Sequence, residues 1–164
     1  FIINAVSKLK DKFPNLIYLI AGKGPYLEEI KKYVRQLSLE NHVVFLGWIT
    51  EPEKSLILKN SEVFAMTPTT VGESVEGFGM AFIDAAFHGI PSVGSRSGGI
   101  SDAIIENETG LLAEAGNQEE ITKKLTELLG NVELRTKLGQ RGREIAESQY
   151  SWDNKILEYL EAAN

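Results

Sequence analysis

Residues 76–91 read Glu76-Gly77-Phe78-Gly79-Met80-Ala81-Phe82-Ile83-Asp84-Ala85-Ala86-Phe87-His88-Gly89-Ile90-Pro91. A carboxylate comes first, then a turn built around Gly77 and Gly79, then an apolar run that suits a helix and stops at Gly89-Ile90-Pro91. N–H groups at a helix start carry partial positive charge and point outward. A diphosphate placed there finds donors and a favourable field without any basic side chain. The backbone of Gly77, Phe78, Gly79 and Met80 supplies those amides. Glu76 cannot serve the phosphate, but its oxygens accept hydrogen bonds, and sugars are the hydroxyl-dense candidates. Asp84 lies eight residues after Glu76, roughly two helical turns along, and is placed to meet a second set of hydroxyls. Two carboxylates bracketing a phosphate site suggest a nucleotide sugar.

Outward from this stretch, strand and helix patterns alternate. Residues 16–21 form a short apolar run between Pro14-Asn15 and Gly22, the pattern of a parallel strand buried on both faces. Pro25 marks the first turn of a helix whose Leu27, Ile30, Val34 and Leu37 recur on one face. A strand over 42–46, a helix over 52–59 and a strand over 62–66 lead to the loop 67–77 and the signature helix. Then come a strand over 92–94, a helix over 99–105 and a strand over 109–113. Asn117 with Glu120, and then Asn131, read as caps of two further helices, the first ending at Gly130; Ser151 reads as the cap of a last helix with Trp152, Ile156, Leu157 and Leu160 on its apolar side. The expected fold class is α/β, a doubly wound, Rossmann-like parallel sheet with C-terminal helices. Ligands on such sheets bind beyond the carboxyl ends of the strands, where Gly22-Lys23-Gly24, Gly47-Trp48, the loop 67–79 and Ser95 to Gly99 converge.

The 164 residues suffice for one domain, and 43% hydrophobic with 24% charged is ordinary globular composition. A net charge of −6 without a Lys/Arg stripe argues against a nucleic-acid partner. The chain has no cysteine, which excludes disulfides and thiolate metal sites and fits a reducing compartment. No apolar run reaches transmembrane length. The apolar, helically spaced opening from Phe1 to Leu9 has no cap, and the natural domain is therefore expected to start earlier.

Glu76-x-Phe78-Gly79 followed by Asp84-Ala85 and Gly89-x-Pro91 resembles the Glu-x7-Glu signature of retaining, family 4 type glycosyltransferases of GT-B fold, with Asp84 where the second glutamate stands. Ala21-Gly22-Lys23-Gly24-Pro25, Val43-Val44-Phe45-Leu46-Gly47, Ser97-Gly98-Gly99 with Asp102, and Thr109-Gly110-Leu111-Leu112 resemble further landmarks of that family, in its order. The resemblance covers a C-terminal, donor-binding half. It implies an acceptor domain, a first strand and an Arg/Lys-bearing loop outside this sequence. It further implies a UDP- or GDP-sugar as substrate with no other cofactor and no metal, and a glycan, lipid or small-molecule acceptor. The enzyme would be cytoplasmic, meeting the membrane through the other domain, and this half alone would be inactive. By position, Glu76 would contact the transferred sugar, the backbone of 78–80 the phosphates, and Asp84 the ribose, one methylene shorter than glutamate. Lys54, seven residues past Gly47, would approach the base. A non-catalytic nucleotide-sugar module, or an epimerase or phosphorylase of the same architecture, is the alternative.

Simpler roles stand beside these. Gly22 and Gly24 suit a strand-to-helix turn needing positive φ, Lys54 a solvated helix face, and Glu76 a dipole-favoured loop acid. Trp48 is expected to be buried, the commoner fate of an indole. His88 suits a cationic helix end, and neither it nor His42 has a metal-ligand partner at suitable spacing. Ser95, Ser97 and Ser101 suit turns and caps, with Ser97-Gly98-Gly99 a second phosphate cradle.

Overall fold

In the computed structural model, residues 1–69, 77–151 and 156 are described. The order is α1 (Ile2–Leu9), β1 (Tyr18–Ala21), α2 (Leu27–Gln36), β2 (Val43–Gly47), α3 (Glu51–Lys59) and β3 (Phe64–Met66). It continues with α4 (Met80–Phe87), β4 (Ser92–Arg96), α5 (Ile100–Ala103), β5 (Gly110–Glu114), α6 (Gln118–Gly130) and α7 (Val132–Gln149). Each expected element up to α7 is present. Pro25 lies in a turn before α2, so that helix starts at Leu27 with Tyr26 as its cap residue. The helix expected over 99–105 is a single turn. Asn117 accepts from the Glu120 amide at 3.1 Å and Asn131 from the Leu134 amide at 2.9 Å, as their spacing predicts. The last helix, which Ser151 was expected to cap, lies outside the described residues except for Ile156, which is exposed.

All strand pairs are parallel, as expected, but among the described residues they form two blocks, β1-β2 and β3-β4-β5. In the larger block both faces are covered. Leu111 and Ala113 of β5 and Val93 of β4 join α1, α6 and α7 in one core; Leu112 joins Phe82, Ile83, Ile100 and Ile104 on the other side. Consecutive strand residues thus enter opposite cores, the period of two that makes a doubly wound sheet. Each fully buried large side chain contributes about 1.5–3 kcal/mol. The smaller block departs from expectation. Leu19 is 38% exposed and Ile17, just before β1, 48%, so the strand over 16–21 is not buried on both faces. Among the described residues, β1 pairs with no strand besides β2.

Two glycines let backbone meet backbone. A Cβ on Gly139 of α7 would lie 2.0 Å from the Gly89 carbonyl oxygen, and one on Gly110 would lie 2.4 Å from the Ser92 carbonyl oxygen. Gly142, one turn along α7, has room: a Cβ there would sit 3.6 Å from Ala86 Cβ. Gly139→Ala is therefore expected to destabilise by about 1–3 kcal/mol or more through overpacking, and Gly142→Ala to stabilise by up to about 1 kcal/mol through helix propensity. Chemical denaturation of the two variants checks the opposite signs.

Candidate functional site

The carboxyl ends of β1, β2, β3 and β4 carry the glycine-bearing turns that the sequence places on one rim. Gly22 follows β1 with φ +121°, a backbone that only glycine adopts readily, and its amide donates to the Gly47 carbonyl at 2.6 Å. The two turns are thereby tied together. Gly24 has open space around its Cα, consistent with the turn reading. At the third turn Gly79 caps α4 in the left-handed conformation, φ 80° and ψ 49°. A glycine cap brings no side chain to occupy the helix end. Phe82 closes the first turn by donating to the Gly79 carbonyl at 2.8 Å, and Met80, 63% exposed, faces outward at the mouth.

The fourth turn serves the third. A Cβ on Gly99 would lie 2.0 Å from the Gly77 carbonyl oxygen and 3.1 Å from Phe78 Cα, so the Ser97-Gly98-Gly99 turn supports the Gly77-Phe78 backbone from behind. Ser95 differs from expectation: it belongs to β4, is buried, and donates to the Pro68 carbonyl, holding the chain that leaves β3. Trp48 is 76% exposed on the rim, contrary to burial. Glu76 lies outside the described residues.

Asp84 projects from the second turn of α4 toward α3, where Lys54 Nζ meets its Oδ2 at 2.8 Å and Glu51 Oε2 at 2.8 Å. Lys54 is thus ion-paired between two helices rather than simply solvated. The Asp84 hydrogen bond, followed by that of Glu51, holds the lysine above its usual 10.5. His88 completes the α3–α4 contact: its Nδ1 lies 2.8 Å from the Asp84 carbonyl oxygen and its Nε2 2.8 Å from Ser55 Oγ. A carbonyl only accepts, so Nδ1 carries a proton and donates to it. His88 is the cap residue at the C-terminal end of α4, the helix end at which the sequence placed it. Ser55 is the residue that sequence reasoning missed; the spacing of Asp84 and His88, one helical turn apart, was the available signal. Among the described residues no three His, Cys, Asp or Glu side chains gather as a metal site, and no helix is long and apolar enough to cross a membrane.

The class that these features define is an open parallel α/β domain with positive-φ glycines at its strand ends, the class of fold whose ligand sites lie at the carboxyl edge of the sheet. The particular family follows from sequence: residues 1–145 match the family described as "Glycosyl transferases group 1", and the chain belongs to it. It is 29% identical over 164 residues to the GDP-mannose-dependent alpha-(1-6)-phosphatidylinositol monomannoside mannosyltransferase of Mycobacterium tuberculosis, covering 97% of this chain and 43% of that protein. To the N-acetyl-alpha-D-glucosaminyl L-malate synthase of Bacillus anthracis it is 29% identical over 141 residues, 86% of this chain and 35% of that one. The chain thus spans about two fifths of such relatives. Among solved GT-B structures, Anabaena Alr3699/HepE in complex with UDP-glucose superposes with a TM-score of 0.84 at 20% identity, over 99% of this chain and 44% of that chain. The C-terminal domain of the Francisella tularensis glycosyl transferase group 1 protein LpcC superposes with a TM-score of 0.80 at 22% identity, over 92% and 78%.

The Lys54–Asp84 pair is partly exposed, with side-chain accessibilities of 33% and 34%, so its direct coupling is expected to be about 0.2–1 kcal/mol. Because the folded-state lysine titrates above its unfolded value, the contribution is full below pH 10.5 and is lost only as pH rises through the higher folded value. A double-mutant cycle with Lys54→Met and Asp84→Asn, run at pH 7 and again above pH 10.5, measures both.

Proposed function

We propose that this chain is the donor-binding domain of a retaining glycosyltransferase that moves a hexose from a UDP- or GDP-sugar to an acceptor hydroxyl. The observation that carries the proposal is the start of α4, where a left-handed glycine opens the helix end and Gly99 fixes the preceding backbone from behind. In this role the amides at Met80 and Ala81, with the Gly77–Gly79 turn, receive the diphosphate. As the sugar C1–O bond breaks, negative charge grows on the leaving phosphate, and preorganised helix-end donors stabilise it without reorganising, as a divalent cation does elsewhere. The acceptor oxygen bonds to C1 on the face the diphosphate leaves, and its proton passes to a leaving-phosphate oxygen. Glu76 orients the hexose and offsets positive charge at its ring.

Asp84 takes the ribose hydroxyls through the carboxylate oxygen that Lys54 does not hold. The lysine has a second use there: an unpaired Asp84 would oppose a diphosphate near the same helix, and the ion pair removes most of that repulsion. The names of the relatives support a nucleotide-sugar donor and, through the phosphatidylinositol mannoside enzyme, an acceptor of cell-envelope glycolipid type. In this reading the acceptor is met by the rest of the protein, as the length of relatives of which this chain spans 43% would allow.

Calorimetric titration of the full-length enzyme with UDP, GDP and their sugars is expected to show binding of one nucleotide class. Gly79→Ala places a Cβ 2.7 Å from Phe82 Cδ2 on a left-handed backbone and should weaken that binding by about tenfold or more, the effect of roughly 1.4 kcal/mol. Glu76→Gln should leave nucleotide affinity nearly unchanged and reduce kcat by about 100-fold or more. Nucleotide binding with unaltered biological output in the Glu76→Gln protein would mark a binding module instead, and failure of every nucleotide to bind would reject the proposal.

A further inference from the structure

Helix α3 is held to the domain by little apolar surface. Leu58 is its one buried residue and shares a small core with Ala85 of α4 and with Ile90, whereas Leu56 is 64% exposed. That anchor lies near the C-terminal end of α3. Nearer the rim are Lys54 and Ser55, and each of these neighbours meets one residue of α4: Lys54 the Asp84 carboxylate, Ser55 the His88 ring. His88 in turn reaches back to the residue that Lys54 holds. Its amide bonds to the Ala85 carbonyl at 3.0 Å in a tightened last turn, and its Nδ1 donates to the Asp84 carbonyl 2.8 Å away. Asp84 is thus gripped at its side chain by Lys54 and at its backbone by His88, and both grips lead to adjacent residues of α3. The two differ in stiffness. Lysine is long, flexible and here 33% exposed, so its ion pair sets no narrow geometry. Serine and histidine are short, and an imidazole bonded at both nitrogens keeps little rotational freedom.

We infer that the Ser55–His88 contact aims the Asp84 carboxylate at the ribose of the donor nucleotide, which makes Ser55 and His88 positioning residues for ribose recognition; this role rests on the donor-binding reading of the rim. Among the described residues Lys54 holds Asp84 Oδ2 and no group holds Oδ1, so one oxygen is open to a ligand. An aspartate stem is short, and a hydrogen bond weakens steeply once its distance or angle departs from the favoured range. A ribose hydroxyl is therefore bound well from few orientations of the carboxylate. With the imidazole in place, α3 lies at one register along α4, Lys54 approaches Asp84 from one direction, and Oδ1 keeps its aim. Without it, α3 is tethered by Leu58 and a flexible lysine, which follows the carboxylate through many orientations. His88 need not touch the ligand. It stands at the C-terminal end of α4, whereas the diphosphate is received at the opposite end, so its influence passes through Asp84.

Calorimetry on the full-length enzyme tests this by comparing the nucleoside diphosphate that binds, UDP or GDP, with its 2′,3′-dideoxy form. The native protein is expected to prefer the ribonucleotide by about tenfold or more, because hydrogen bonds to a charged acceptor are among the stronger contacts. Ser55→Ala and His88→Phe should each lower that ratio by about threefold or more through the ribonucleotide alone, leaving dideoxynucleotide affinity within about twofold of native. In an Asp84→Asn background Ser55→Ala should not change the ratio further, whereas a merely structural effect would be the same in either background. If His88→Phe does not fold, Ser55→Ala, which deletes a single hydroxyl, decides alone. An unchanged ratio in the variants, an equal fall in both affinities, or a native protein that binds both forms alike would overturn the inference and leave the nucleotide site standing. Failure of both UDP and GDP to bind would reject the donor-binding reading, and this role with it.

Discussion

Burial of β4 and β5 on both faces is the constraint on which the other features depend. Parallel strands with helices on either side can present only apolar or very small residues, and here Val93, Leu111 and Ala113 alternate with Gly94 and Leu112 between two cores. Where helices come closest, no side chain fits at all: a Cβ on Gly94 would lie 2.6 Å from Ile104 Cδ1. That close approach sets α5 against β4, and α5 in turn brings Gly99 onto the Gly77 backbone. Packing several residues removed from the α4 helix start thus bears on its position.

Electrostatics at the rim then act locally. The protein carries a net charge of −6, which opposes an anionic ligand at long range, so attraction must come from groups within a few ångströms. A helix end supplies such a field, because its partial charge is concentrated in the first turn. Pairing of Asp84 with Lys54 keeps the one acidic group on the following turn from cancelling it. The Ser55–His88 contact holds α3 and α4 together at the other end of the same interface, so the pair meets in a fixed geometry. In the proposed donor role, this arrangement would let a diphosphate bind with few basic side chains.

Most of the architecture was legible because it is written in short-range patterns. Apolar runs bounded by glycine gave the strands, three- and four-residue spacing gave the helices, and Asn117 and Asn131 gave their caps by the identity of a single residue. The start of α4 was legible for the same reason, since a glycine before an apolar run suffices to imply an open helix end. Departures cluster where distant segments meet. Lys54 and Asp84 are 30 positions apart and Ser55 and His88 are 33 apart, and no local period brings either pair together. Trp48 was expected inside on the strength of its size, yet it stands on the rim because β2 ends at Gly47 and the chain turns outward there.

Sequence by itself determined the alternation of parallel strands and helices, the rim on which the glycine turns gather, and the family to which the chain belongs. These follow from periodicity and from the few conformations open to glycine and to cap residues, which act over one or two turns of chain. Only tertiary structure decided that Gly99 supports Gly77, that Asp84 is held by a lysine, and that the described strands pair in two blocks. Those outcomes depend on how surfaces far apart in the chain exclude water and one another, and that competition is settled by three-dimensional packing.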